Sequence, residues 1–116
     1  EDDEAWRFGT IARDTSSSDD VVSQGGGRAV QARVLSRRGD HAEAEAVARA
    51  AVEIMARTDY LAQHGEVLVH LAQVLRQAGK ADEALAAARD AAALYEQKGA
   101  TFLVDRTERL VDGWTG

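Results

Sequence analysis

The chain has 116 residues, a formal net charge of −6, no proline and no cysteine. That length fits one small domain. The acidic balance argues against a nucleic-acid binder, which would show a basic face. The missing cysteine excludes disulfides and thiolate chemistry. Ala, Arg, Glu and Val dominate, helix formers such as Ala, Leu, Glu, Arg and Gln recur throughout, and no alternating β-branched run is bounded by turn residues. The class is all-α. No stretch approaches the ~20 apolar residues that span a bilayer, no signal peptide is visible, and a cytoplasmic setting is expected. The start at Glu1 without a methionine reads as a piece of a longer chain.

Six helices are predicted in chain order. Residues 3–14 carry Ala5, Phe8, Gly9 and Ala12 at helical spacing. Residues 15–20 are a polar loop whose last members are able to cap a helix. The second helix runs over about 21–38 and stops at Gly39. Asp40 and Glu43 form an Asp-x-x-Glu capping box for the third, whose inner side is Ala44, Val47, Ala48, Ala51, Ile54 and Met55. Thr58 and Asp59 break it. The fourth, about 60–78, ends at Gly79. The fifth, about 81–98, ends at Gly99, and the last covers about 101–112. Short connections make sequential helices antiparallel hairpins.

The chain repeats itself. Aligning residues 32–54 with 72–94, an offset of 40, leaves ten of 23 positions identical. The small residue, the Val-Leu pair and the glycine stop recur as Ala32, Val34, Leu35 and Gly39 against Ala72, Val74, Leu75 and Gly79. Glu43, Ala44, Ala46, Ala48, Arg49 and Ala51 recur as Glu83, Ala84, Ala86, Ala88, Arg89 and Ala91. Self-similarity at such a period marks a solenoid. Small side chains let neighbouring helices approach, and Leu35 and Leu75 fill the space between them.

On these residues the chain resembles the tetratricopeptide repeat, with a small residue in helix A (Ala32, Ala72), a bulky one three later (Leu35, Leu75), a turn glycine (Gly39, Gly79), and helix B alanines at spacings of four and three (Ala44, Ala48, Ala51; Ala84, Ala88, Ala91). The N-terminal Ala5, Gly9 and Ala12 echo that spacing. The resemblance implies a right-handed solenoid of about six helices: helix B of a partial repeat (3–14), a repeat over 20–58, another over 60–99, and a terminal helix (100–113) that either caps the array or opens a further repeat. The family period is about 34 residues, and here it is 40. Longer helices of this kind, and segments 20–24, 32–43 and 72–83, look like the C-terminal arrays of large bacterial signalling and transcription regulators, including adenylate-cyclase and ATPase fusions. The family proline after helix B is missing.

No catalytic, cofactor or metal site is read. His64 and His70 are six apart and share no helix face, and His41 lies elsewhere, so three convergent zinc ligands are lacking. Ser16 to Ser18 have no base nearby in sequence. Gly25-Gly26-Gly27 lacks the Gly-Lys-Ser/Thr of a phosphate loop. Three readings of that run stay open: a late or kinked helix start, a close approach to the preceding helix with Trp6 or Phe8 filling the space, or a pocket or hinge.

By family resemblance helix A lines a concave groove. The positions are Gly26, Ala29, Arg33, Ser36 and Arg37, then Glu66, Val69, Gln73, Arg76 and Gln77. Arg33 and Arg37 share a face, and with Arg76 they favour an anionic group; the competing reading has them solvated and paired with local carboxylates. The lysine/asparagine carboxylate clamp of chaperone-binding relatives is absent: Ala29, Arg33 and Gln73 stand in its place. The expected function is a non-catalytic scaffold for a protein or peptide partner, an anionic one on the arginine reading, or for another domain of its own chain; no nucleic acid and no membrane is involved. The alternative is a small-molecule sensor domain of a transcriptional or cyclase-type regulator. A scaffold calls for an open groove, a sensor for a closed pocket of roughly 300–1,000 Å³. Trp6 and Trp114, near the ends, either cover the core or lie exposed, the latter favouring self-association through the end helices.

Overall fold

The computed structural model describes residues 21–115 as five helices. They are α1 (Val21–Arg37), α2 (His41–Ala56), α3 (Leu61–Gln77), α4 (Ala81–Lys98) and α5 (Thr101–Thr115). The expected helix over 3–14, the loop over 15–20 and Trp6 lie outside the described residues. α4 has the predicted bounds, and α5 runs three residues further than expected.

Three of the four connections close in one way. Gly39, Gly79 and Gly99 all have φ between 81° and 88°, a region open to glycine because it has no Cβ. In each case the amide after the glycine returns to a carbonyl five residues back: Asp40 to Leu35 at 3.0 Å, Lys80 to Leu75 at 2.9 Å and Ala100 to Tyr95 at 2.8 Å. This satisfies an orphan carbonyl at the helix end. It also corrects the capping-box expectation at Asp40. The Asp40 amide that Glu43 was to accept from is already committed to Leu35, and the Asp40 side chain makes no capping bond. The α2–α3 connection has no glycine. There the Thr58 hydroxyl donates to the Met55 carbonyl at 2.7 Å and accepts from the Tyr60 amide at 3.2 Å.

Consecutive helices pack against each other, and α1 also packs on α3. The main core joins Ala32, Leu35, Ala44, Ala48, Leu71, Ala72, Leu75, Ala84, Ala88 and Ala91 with Tyr95 and Val104. All twelve repeat positions are buried except the two turn glycines. Ala32, Ala44, Ala51, Ala72, Ala84 and Ala91 are fully excluded from solvent, as close crossing of helices requires. A smaller cluster of Ala29, Ala51, Met55 and Val67 closes the other end of the first hairpin.

α1 runs unbroken through Gly25-Gly26-Gly27, so the helix neither starts late nor stops there. A Cβ at Gly25 would lie 2.9 Å from Met55 Sδ, on the helix that follows. Forty residues on, a Cβ at Gly65 would lie 2.6 Å from Tyr95 Cε1. Gly25 and Met55 therefore repeat as Gly65 and Tyr95. At both places the base of helix A gives up its side chain so that a large residue near the end of helix B lies against its backbone. Gly26 has nothing within 4 Å and borders a small apolar pocket. On the surface, Glu45 accepts from Arg49 at 2.8 Å and Lys80 at 2.7 Å, and Arg49 reaches Glu83 at 3.2 Å. These contacts link α2 to the second hairpin, and the two cations hold the Glu45 carboxyl below its ordinary range.

Candidate functional site: the inner groove

α5 packs on α4 but leaves a groove between itself and α3. The groove has a volume of about 610 Å³ and is neither sealed nor flat. Its floor and walls come from four helices: Arg33 of α1, Glu66, Val69, His70 and Gln73 of α3, Tyr95 of α4, and Leu103, Arg106, Thr107, Arg109 and Leu110 of α5. A second, more apolar pocket of about 240 Å³ adjoins it and shares Gln63, Glu66 and His70. Val22, Gly26, Ala29 and Met55 complete it.

The helical repeat sets this layout. Positions 26, 29 and 33 of α1 return as 66, 69 and 73 of α3, and 66 and 69 return as Arg106 and Arg109 of α5. Residues at i, i+3 and i+7 share one helix face. The same inner face is therefore presented three times, and its third presentation carries two arginines.

Arg33 bridges the first two. Its Nη1 donates to Gln73 Oε1, its own counterpart 40 residues on, and lies 3.4 Å from His70 Nδ1. Arginine has only donors, so His70 Nδ1 accepts and Nε2 carries the proton. Nε2 lies 4.0 Å from Glu66 Oε1. Burial first, then the charges of Arg33 and Arg106, push the His70 pKa down to about 4. Burial and then Arg37 lower Arg33. Tyr95 is raised by burial and then by Glu66.

The expected groove residues divide. Arg33 and Gln73 line the groove together. Ser36 is buried and donates to Gln77 Oε1, a second rung between α1 and α3. Arg37 is exposed on α1 and borders neither pocket. Arg76 turns to α5: its Nη2 donates to the Trp114 carbonyl at 2.9 Å and its guanidinium lies 5.2 Å from the Trp114 ring. That cation–π contact ties the ends of α3 and α5 together, and Trp114 is half-buried against the core. Sequence reasoning left His70 open as a solvent-exposed or a groove histidine and missed Tyr95, Arg106 and Arg109. Continuing the 40-residue step into α5 would have found both arginines.

The His70 environment has a consequence for stability. The unfolded side chain takes up a proton near pH 6.5, the folded one near 4. The unfolded state therefore binds more protons across that window, and stability falls as pH falls through it. Between pH 7 and 5 the loss is about 2 kcal/mol. His64 is also lowered, burial being the larger cause, and adds in the same sense. Urea denaturation at pH 7 and 5 should show this loss, and His70→Gln, which keeps an acceptor for Arg33, should remove most of it. An unchanged slope in that variant would mean that His70 is not held neutral by its surroundings.

Among the described residues no group of His, Asp and Glu stands close enough to hold a metal, and no helix is long and apolar enough to cross a membrane. Antiparallel helix pairs crossing on alanines, stacked at a fixed period around an inner groove, define a helical repeat scaffold. The family model of the tetratricopeptide repeat matches residues 29–97, and the chain belongs to that family. The family is generally a non-catalytic repeat that mediates protein–protein contacts. No curated protein and no solved structure matches the chain.

Proposed function

We propose that this chain is an interaction module that holds a segment of a protein partner, or of another domain of its own chain, in the groove between α3 and α5. The observation that carries the reading is the groove itself: about 610 Å³, bordered by four helices, with polar anchors spread among apolar side chains. Its volume would also suit a small ligand, but a recess that is not sealed, with anchors scattered along it, favours a peptide. A sensor would favour an enclosed cavity that buries most of its ligand. The placement in a bacterial regulatory protein rests on the 40-residue period and on segments 20–24, 32–43 and 72–83.

Photo-crosslinking in cells tests the reading. A photoreactive residue at Val69, in the groove, should form an adduct with a polypeptide, and one at exposed Ala86 should not. Adducts at both positions, or at neither, would count against the groove. A small-molecule mass retained on the domain in native mass spectrometry would favour the sensor instead.

A further inference from the structure

Three arginines line the groove, Arg33 from α1 and Arg106 and Arg109 from α5, with Glu66 the sole carboxylate among the lining residues. The chain as a whole carries −6, so this positive recess runs against its average. Among the described residues Arg106 and Arg109 make no hydrogen bond or ion pair, whereas Arg49 and Arg76 of the outer and end surfaces are engaged. The same lining supplies apolar surface from Val69, Leu103 and Leu110 and from the buried Tyr95, interspersed with the polar Gln63, Gln73 and Thr107. The Tyr95 hydroxyl makes no hydrogen bond to a described residue.

From this we infer that the groove recognises an acidic protein segment, one whose carboxylates meet Arg33, Arg106 and Arg109 while an aliphatic or aromatic side chain between them seats against Val69, Leu103 and Leu110. The inference rests on the scaffold reading and adds the chemistry of the partner. Guanidinium forks match carboxylates in pairs, and an apolar anchor beside them supplies the burial that charge contacts on an open surface do not. Arg33 is fixed by Gln73 and His70. It therefore meets a carboxylate already oriented, and Arg106 and Arg109 add positive charge to the same groove from α5. Glu66 sits on the same wall, its Nε2-bearing neighbour His70 being 4.0 Å away. It sets the spacing by repelling a carboxylate placed on the α3 side.

The experiment is selection of peptides from a random twelve-residue display library on the 116-residue chain. Selected peptides are then measured by fluorescence anisotropy on the wild type, on Arg106→Glu/Arg109→Glu, and on Arg89→Glu/Arg57→Glu, which makes the same charge change on exposed residues that do not line the groove. Enriched sequences should carry an excess of Asp and Glu flanking at least one large apolar residue. The groove double variant should bind them more than about tenfold more weakly, the control within about threefold, and added salt should weaken wild-type binding. Circular dichroism melting of each variant confirms that it is folded; Arg106→Gln/Arg109→Gln, which keeps polarity without reversing charge, serves if the reversal does not fold. Enriched peptides that are neutral or basic, or that bind the groove variant as well as the wild type, would overturn the acidic-segment inference and leave the scaffold reading standing. No enrichment of any composition would overturn both.

Discussion

Gly65→Val should lower the stability of the domain by about 2–3 kcal/mol, read as a drop in the urea midpoint. A helix normally gains about 1 kcal/mol when glycine is replaced by alanine, so the sign depends on space. At Gly65 there is none: an added Cβ would lie 2.6, 2.9 and 3.1 Å from three atoms of the Tyr95 ring. That ring is rigid and 4% exposed, so it cannot swing into solvent without opening the α3–α4 contact. Alanine should be destabilising by about 1 kcal/mol, and the γ-branches of valine add to it. In a Tyr95→Leu background the penalty for Gly65→Ala should shrink by about 1–2 kcal/mol, the coupling expected of residues in contact. Gly26→Ala is the control. Its Cβ meets nothing within 4 Å, and it should stabilise by about 0.5–1 kcal/mol. A Gly65→Val protein as stable as the wild type would mean that α3 and α4 do not approach as closely as described.

Leu75→Ala should cost about 3 kcal/mol. Leu75 is 1% exposed and sits in the main core beside Ala72, Ala84 and Ala88. Its alanine neighbours have no flexible side chains with which to fill the cavity, and the Leu75 carbonyl is itself pinned by the Lys80 amide at 2.9 Å. Little relaxation is available, so the cavity term persists. A domain of this size commonly has 5–15 kcal/mol in all, so the thermal midpoint should fall by about ten degrees or more. Exposed Arg89→Ala on the neighbouring helix should move stability by less than about 0.5 kcal/mol. Equal effects from the two would contradict the core assignment.

Much of the fold is legible in local chemistry. Gly39, Gly79 and Gly99 end helices because only glycine takes the positive φ of the closing residue without strain. The alanines at spacings of four and three mark the faces where helices cross. Local signals failed where two distant groups compete for one partner. The capping box at Asp40 is sound in isolation, but the Asp40 amide is taken by Leu35 as part of ending the previous helix. The glycine run looks like a breaker in sequence, yet α1 runs through it, and at Gly25 Met55 occupies the space that a side chain would fill.

The groove was legible only in part. Arg33 and Gln73 are implied by the family resemblance, and both line the groove. Arg76 has the same spacing and the same charge, but it reaches Trp114 instead, because α5 folds back within range of its guanidinium. Arg106 and Arg109 follow from carrying the 40-residue step into α5, whereas Tyr95, near the end of α4, enters the groove only through the docking of that helix.

The sequence by itself determined the helical class, the glycine stops and the 40-residue period, the first two through backbone preference and the last through recurrence of the same residues along the chain. The tertiary structure alone decided which glycines are obligatory and that Arg76 turns from the groove to Trp114. Those depend on distances between helices, and a distance between helices is fixed only when all the side chains at their crossing have packed.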